Sequence, residues 1–67
     1  MVYVELVCYD NQMETERVVE AELLENLEQA KGYAVASGVV ELDSGALYLE
    51  VSELASDGFK YLTTIYE

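Results

Sequence analysis

The residues of this chain that could do chemistry are its carboxylates. Fourteen Asp and Glu stand against three Lys and Arg, with no His, so the formal net charge is −11 over 67 residues. Without an imidazole there is no His base for a Ser or Cys nucleophile and no ordinary zinc site. A glycosidase-like carboxylate pair needs a cleft, for which so small a domain has little room. We therefore expect no enzyme, no cofactor and no metal site.

The remaining candidates for chemistry are few. Cys8 is the single cysteine, so it has no internal disulfide partner, which favours a reducing compartment such as the cytoplasm. It lies on the predicted core face of a strand, where a thiol is usually a small buried hydrophobe. The four glycines are isolated and form no phosphate-binding loop. No run of 18 apolar residues occurs, so we expect no membrane span.

The charge itself is the strongest functional signal. Such a surface repels nucleic acid and anionic membranes and attracts basic proteins. A globule of this length is roughly 28 Å across, and that length of duplex DNA carries about 16 charges. A net charge of −11 is of the same order, so the protein could imitate nucleic acid on a Lys- and Arg-rich site. The plainer interpretation is that the acid maintains solubility or reflects a salty habitat.

The clearest predicted element among those that position these carboxylates is one helix. Leu23, Leu27, Ala30 and Ala34 share a helical stripe. Asn26 is typical of an N-cap, Gln29 completes a capping-box-like pair, and Gly38 is a natural stop. The pattern predicts a helix over residues 27–37, preceded by a strand. A single long helix from about Val18 is the alternative.

Strands are predicted over residues 2–9, about 13–24, 39–43, 46–52 and 59–66. The turns between them are indicated by Asp10-Asn11-Gln12, Ser44-Gly45 and Asp57-Gly58. The order ββαβββ predicts an α+β fold in one domain, residues 1–67. It would be a single antiparallel sheet of about five short strands, with one helix packed on one face.

One helix covers only one face of such a sheet, so the other face should be open. Strand alternation assigns to the helix side Val2, Val4, Leu6, Val19, Ala21, Val40, Leu42, Leu47, Leu49, Val51, Phe59, Tyr61 and Ile65. The open face would then carry Tyr3, Glu5, Tyr9, Glu20, Glu22, Glu41, Asp43, Tyr48, Glu50 and Tyr66. Tyrosine is enriched in protein interfaces, although it also has high strand propensity. The expected partner-binding residues are Glu5, Glu20, Glu22, Glu41, Asp43, Glu50, Tyr3 and Tyr48.

The order of elements also resembles a known class of proteins. Glu20-Ala21 closes a strand, Leu27, Gln29-Ala30-Lys31 and Ala34 lie on a helix, and a glycine-turn hairpin and Asp57-Gly58 follow. This pattern resembles small phage-encoded anti-CRISPR proteins with one helix on an antiparallel sheet, which act on type I surveillance complexes. The resemblance implies a stoichiometric inhibitor that binds a DNA-reading subunit in the cytoplasm of an infected bacterial host. Some of these inhibitors are acidic mimics of DNA. No functional residue carries over position by position.

Two functions therefore compete. The first is a non-enzymatic acidic inhibitor, a monomer or weak dimer, that mimics nucleic acid and blocks a basic DNA-binding site without binding nucleic acid or membrane itself. The alternative is a structural or assembly module that oligomerises or docks through its open sheet face or an edge strand. Only Arg17, Lys31 and Lys60 could neutralise carboxylates buried in a symmetric interface. This disfavours self-association through the acidic face, but not through an edge strand.

Overall fold

The chain forms five antiparallel strands and one helix in the order ββαβββ. The computed structural model describes residues 1–66. The elements are β1 (Val2–Asp10), β2 (Thr15–Leu24), α1 (Leu27–Ser37), β3 (Val40–Leu42), β4 (Gly45–Ala55) and β5 (Gly58–Ile65). The predicted α+β class with a single sheet is confirmed. None of the helical structure in these residues is long and apolar enough to cross a membrane.

The sheet is built around β1 and β4, which pair with each other along their length. On its other side β1 pairs with β2. The outer edge of β4 is shared, because β3 pairs with residues 45–47 and β5 with residues 49–55. Gly45 is required where β4 approaches β1, since a Cβ there would collide with the carbonyl oxygen of Tyr9. The outer edges of β2 and β5 have no partner strand within residues 1–66.

The helix begins and ends where the sequence predicts. The Asn26 side chain accepts a hydrogen bond from the Gln29 backbone N–H at 2.9 Å, as an N-cap does. The Gln29 side chain accepts from the Glu25 N–H at 3.0 Å, so the return bond reaches one residue beyond that of a capping box. Gly38 ends the helix in the left-handed region, with φ of 73°. The alternative of a long helix from Val18 is wrong, because residues 15–24 form β2.

The core lies between α1 and the central strand pair. Ala30 and Ala34 are fully buried and pack with Val4, Leu49 and Val51. Their small side chains let the helix backbone lie close to the sheet. Val2, Leu6 and Val39 complete the buried cluster, and Leu24, Tyr33, Leu47 and Ile65 pack around it. Leu27, which was expected on this stripe, lies at the margin with 37% of its surface exposed.

The predicted faces of β2 are wrong. Cross-strand pairing places Leu24, Glu22 and Glu20 opposite Val2, Val4 and Leu6, and therefore on the helix side. Ala21 and Leu23 consequently lie on the open face, and Val19 is the extra residue of a bulge opposite Leu6 and Val7. The physical reason is that the core lies over β1 and β4. An apolar side chain in the middle of the edge strand β2 would gain little burial by facing the helix.

Two further groups of expected core residues lie outside the core. Phe59 and Tyr61 pair with Leu54 and Ser52, which point away from the helix, and they are 59% and 62% exposed. Val40 and Leu42 are on the helix side, opposite Leu47 and Gly45. Both are nevertheless exposed, because the helix ends before it reaches them.

Burial predicts a sharp contrast between two leucine truncations. Leu49 is fully buried, so Leu49→Ala should lower the free energy of unfolding by about 2–5 kcal/mol. The matched change Leu27→Ala removes the same atoms from a partly exposed helix position, and we expect a loss below about 1 kcal/mol. Urea denaturation followed by circular dichroism measures both. Losses of equal size would show that the core is wrongly placed.

Candidate partner-binding face

The sheet face opposite α1, here called the open face, is ordered in rows by the strand register. Read across the sheet, successive rows are Glu41–Ala46–Tyr9–Glu16, Tyr48–Val7–Val18, Thr64–Glu50–Glu5–Ala21, Tyr61–Ser52–Tyr3–Leu23 and Phe59–Leu54. Neighbouring rows are about 6.6 Å apart, because alternate residues of a strand point to the same face.

These rows divide the open face into two halves of different chemistry. The acidic half comprises the first three rows and contains Glu5, Glu16, Glu41 and Glu50, with Tyr9 and Tyr48 among them. The aromatic half comprises the last two rows, and its large side chains are Tyr3, Leu23, Leu54, Phe59 and Tyr61. The predicted alternation of carboxylates with tyrosines therefore describes one half of the face only.

Two glutamates stand directly opposite each other in the third row, at the centre of the open face and next to the aromatic half. Glu5 of β1 and Glu50 of β4 are cross-strand partners, and their other partners are Ala21 and Thr64. Like charges in this arrangement destabilise a sheet. The Tyr3 hydroxyl donates a long hydrogen bond of 3.5 Å to Glu5 Oε2. The protein thus presents a concentrated negative charge that no cross-strand neighbour neutralises.

Tyr48 covers the middle of the acidic half. Its register partner on β1 is Val7, and its hydroxyl donates to Glu16 Oε2 at 3.0 Å on β2, the next strand beyond β1. The ring therefore lies across β1, which explains why Val7 is buried on an otherwise uncovered face. Burial first, and then the hydrogen bond and the charge of Glu16, raise the pKa of Tyr48 to about 12. The hydroxyl stays neutral and acts as a donor to the carboxylate.

A similar contact holds a carboxylate on the other side of the sheet. The Tyr33 hydroxyl of α1 donates to Glu20 Oε1 at 2.9 Å. Desolvation, followed by this hydrogen bond and the charges of Glu20 and Glu22, raises the pKa of Tyr33. The contact confirms that Glu20 faces the helix.

The predicted site residues are thus only partly brought together. Tyr3, Glu5, Glu41, Tyr48 and Glu50 lie on the open face as expected. Glu20 and Glu22 do not, for the reason of register given above. Asp43 lies in the turn before β4 rather than on a strand, because β3 ends at Leu42. Whether any of these residues binds a partner stays a prediction.

The turn that holds Asp43 is tied to the turn between β1 and β2. The Asn11 side chain donates to the Asp43 carbonyl at 2.9 Å, and the Asn11 N–H donates to the Ser44 carbonyl at 3.0 Å. Asp10 accepts hydrogen bonds from the backbone N–H groups of Gln12 and Met13, which fixes its own turn. Asp10 and Asp43 are therefore held at the same end of the sheet, next to the first acidic row.

Sequence reasoning missed Glu16, Phe59 and Tyr61 as residues of the open face. Glu16 lies on the open face because the bulge at Val19 puts it on the side opposite to Glu20 and Glu22. No local sequence signal marks that bulge. Phe59 could have been placed from the hairpin. With Val51 inside, Leu54 points outward, and a two-residue turn at Ser56-Asp57 pairs Leu54 with Phe59. The sequence instead suggested Asp57-Gly58 as the turn, which shifts the register.

Comparison with known proteins adds no assignment. No protein-family model, no curated protein and no solved structure matches this chain. Within residues 1–66, no three His, Cys, Asp or Glu side chains are grouped so that they could hold a metal ion. The function must be inferred from the open face itself.

Neutralising one member of the central pair should stabilise the fold. Glu5→Gln keeps the shape of the side chain and removes the repulsion from Glu50, so we expect a gain of about 0.2–1 kcal/mol in unfolding free energy. The gain should shrink at high salt, because salt screens exposed charges. The control is Glu41→Gln, which removes the same charge opposite Ala46. Urea denaturation at low and high NaCl measures both, and an equal or larger gain from the control would refute the pair effect.

The Tyr48 contact should be visible at alkaline pH. Its pKa is raised from 10.0 to about 12 by folding, so its contribution to stability is complete below pH 10 and is lost between pH 10 and 12. Tyr48→Phe should flatten the fall of the thermal midpoint across that window and remove the most alkaline step of tyrosinate absorbance. Tyr61→Phe, which changes a 62% exposed tyrosine two rows away from Tyr48, is the control. Identical profiles for wild type and Tyr48→Phe would contradict the assignment.

Proposed function

We propose that this protein is a non-enzymatic acidic inhibitor that mimics nucleic acid and occupies the nucleic-acid-binding site of a basic protein. The observation that supports this best is the Glu5–Glu50 pair at the centre of an uncovered sheet face. Such a pair reduces the stability of the free protein. Lys and Arg side chains of a partner would relieve the repulsion, so binding gains an interaction that the isolated domain lacks.

The shape and the charge of the molecule support this proposal. The Cα atoms extend over 38 × 23 × 16 Å, so the molecule is an elongated slab rather than a sphere. Duplex DNA of 38 Å carries about 22 charges, so the net charge of −11 reaches about half of that density. Glu20 and Glu22 extend the acid to the helix side. A basic cleft closing around the slab would therefore meet carboxylates on both faces.

The resemblance described above suggests the class of target. We propose a DNA-reading subunit of a type I CRISPR surveillance complex, with the inhibitor encoded by a phage and acting in the cytoplasm of an infected bacterium. The inhibitor would act stoichiometrically as a monomer. Tyr9 and Tyr48, which lie among the carboxylates, would supply rigid contact area beside the charge.

An assembly module is the second candidate, and the unpaired outer edges of β2 and β5 favour it. Both edges carry features that discourage strand addition. β2 has Glu16, Glu20, Glu22 and a bulge, and β5 has Lys60 and a bulge at Leu62. We therefore rank this candidate below the inhibitor.

The test compares two double charge reversals of equal net charge. Glu5→Lys with Glu50→Lys alters the central pair, whereas Glu25→Lys with Glu28→Lys alters exposed acids at the start of α1. A type I surveillance complex loaded with guide RNA is mixed with each protein and a labelled target duplex. We expect the wild type to prevent duplex binding, and the first variant to lose at least about tenfold in potency because unpaired like charges meet at the interface. The second variant should keep most of its potency.

Salt and competitor DNA complete the design. Association of the wild type should slow between about 50 and 200 mM salt, as expected for charge steering. Excess unlabelled duplex should displace the protein from the complex. The mimicry proposal would be refuted if excess duplex did not displace the protein from the complex. Full inhibition by the Glu5→Lys/Glu50→Lys variant would also refute it. If the protein inhibits no type I complex, it can be immobilised and exposed to a bacterial lysate. Nucleic-acid-binding proteins that it retains and that duplex DNA elutes would support mimicry but reject this target.

A further inference from the structure

The aromatic half of the open face brings several large apolar and aromatic side chains together outside the core. Phe59 and Tyr61 are more than half exposed, and Leu23 and Leu54 are 49% and 42% exposed. The Tyr3 and Phe59 rings pack at a centroid distance of 4.8 Å with planes tilted by 38°. These rows contain no carboxylate, although the neighbouring row contains Glu5 and Glu50. Exposed apolar groups of this kind, bordered by polar residues, mark interaction sites.

We propose that the aromatic half binds an apolar patch of the partner protein that lies directly beside its basic groove. This inference rests on the proposed function, because the acidic half would orient the same partner. Aromatic side chains at the centre of an interface supply most of its binding energy, whereas charges mainly set association rate and orientation. The partner is therefore a protein surface with exposed apolar side chains next to Lys and Arg, rather than a groove of basic residues alone.

Charge on the neighbouring row selects this occupant over three others. Nucleic acid and an anionic membrane would both bring phosphates close to Glu5 and Glu50. A second copy of the chain would bring a further net charge of −11 to the same face. An apolar surface flanked by cations is complementary to both halves at once.

Phe59 and Tyr61 are suited to substitution because both are more than half exposed. Phe59 and Tyr61 belong neither to the buried cluster nor to the side chains packed against it. Removing both should leave the domain folded, which circular dichroism and the thermal midpoint verify. Leu42 is a matched control: it is as exposed as Tyr61, at 62%, but lies on the helix side.

Two synthetic helical peptides of equal length and charge serve as probes. One carries Leu on one face and Lys on the other, and its control carries Ala in place of Leu. We expect the full chain to bind the Leu/Lys peptide roughly tenfold more tightly than the Ala/Lys peptide, since apolar contact adds to charge. This ratio should persist at about 0.5 M salt, where exposed charge attraction is screened. Phe59→Ser with Tyr61→Ser should reduce the ratio to near one, and Leu42→Ser should leave it unchanged.

The outcomes separate the two proposals. A Leu/Lys to Ala/Lys affinity ratio near one for the wild type would overturn the present inference. An equal fall of that ratio with Leu42→Ser would do the same. In either case, binding of the Ala/Lys peptide at low salt would still support the proposed role of the acidic half. If the Ala/Lys peptide does not bind at low salt, the result counts against the proposed function instead. The same holds if its binding is unchanged by Glu5→Lys with Glu50→Lys. Sedimentation provides the last outcome: dimers of the wild type that Phe59→Ser with Tyr61→Ser dissociates would assign the face to a second copy and reject the present inference.

Discussion

In the part of the chain that the structure describes, an eleven-residue helix is the only layer that covers the sheet, and most features of the molecule follow from this limited cover. The helix is about 16 Å long, whereas β4, also of eleven residues, extends for about 36 Å. Among the strands, burial on the helix side is therefore limited to residues 2–6 of β1 and 49–51 of β4, which pack with Ala30 and Ala34 of α1. Apolar side chains on the helix side beyond that footprint, such as Val40 and Leu42, are exposed, as is Phe59 on the opposite face.

The uncovered side is nevertheless structured. Tyr48 reaches across β1 to Glu16 and shields Val7, so a small apolar contact lies beneath a surface of carboxylates. Tyr33 and Tyr3 likewise donate to glutamates. In a chain with so few basic residues, tyrosine hydroxyls replace ammonium and guanidinium groups as hydrogen-bond donors to the acid. They hold individual carboxylates in place without neutralising them, so the molecule keeps its negative potential.

The sequence was sufficient to predict the helix and the strands, but not to predict which face of the sheet each strand residue occupies. The helix bounds followed from local signals, because Asn26 and Gly38 act on their own immediate backbone. The inward residues of β1 and β4 followed from alternation, since both strands are paired on both sides. Alternation failed on β5 because a bulge at Leu62 shifts the register. On β2 it gave the wrong face, because Ala21 and Leu23 are apolar although Glu20 and Glu22 face the helix. Bulges are set by sheet twist and pairing partners, which a single strand's sequence does not contain. The sequence therefore predicted that the open face carries carboxylates. It assigned Glu20, Glu22, Phe59 and Tyr61 to the wrong faces of the sheet.

The pairing of β1 with β4 has a consequence for how the molecule forms. The two strands that hold the core together are remote in sequence: Val2 meets Glu53, and Asp10 meets Gly45. Local hairpins and the helix can form early, but none of them encloses a core until β1 and β4 pair, which joins residues 35 to 51 positions apart. Closure of that loop, with its entropy, should set the folding rate. During synthesis the β1–β2 hairpin must wait unprotected until β4 has been made. Its carboxylates repel other chains as well as each other, which disfavours aggregation of the unfinished protein.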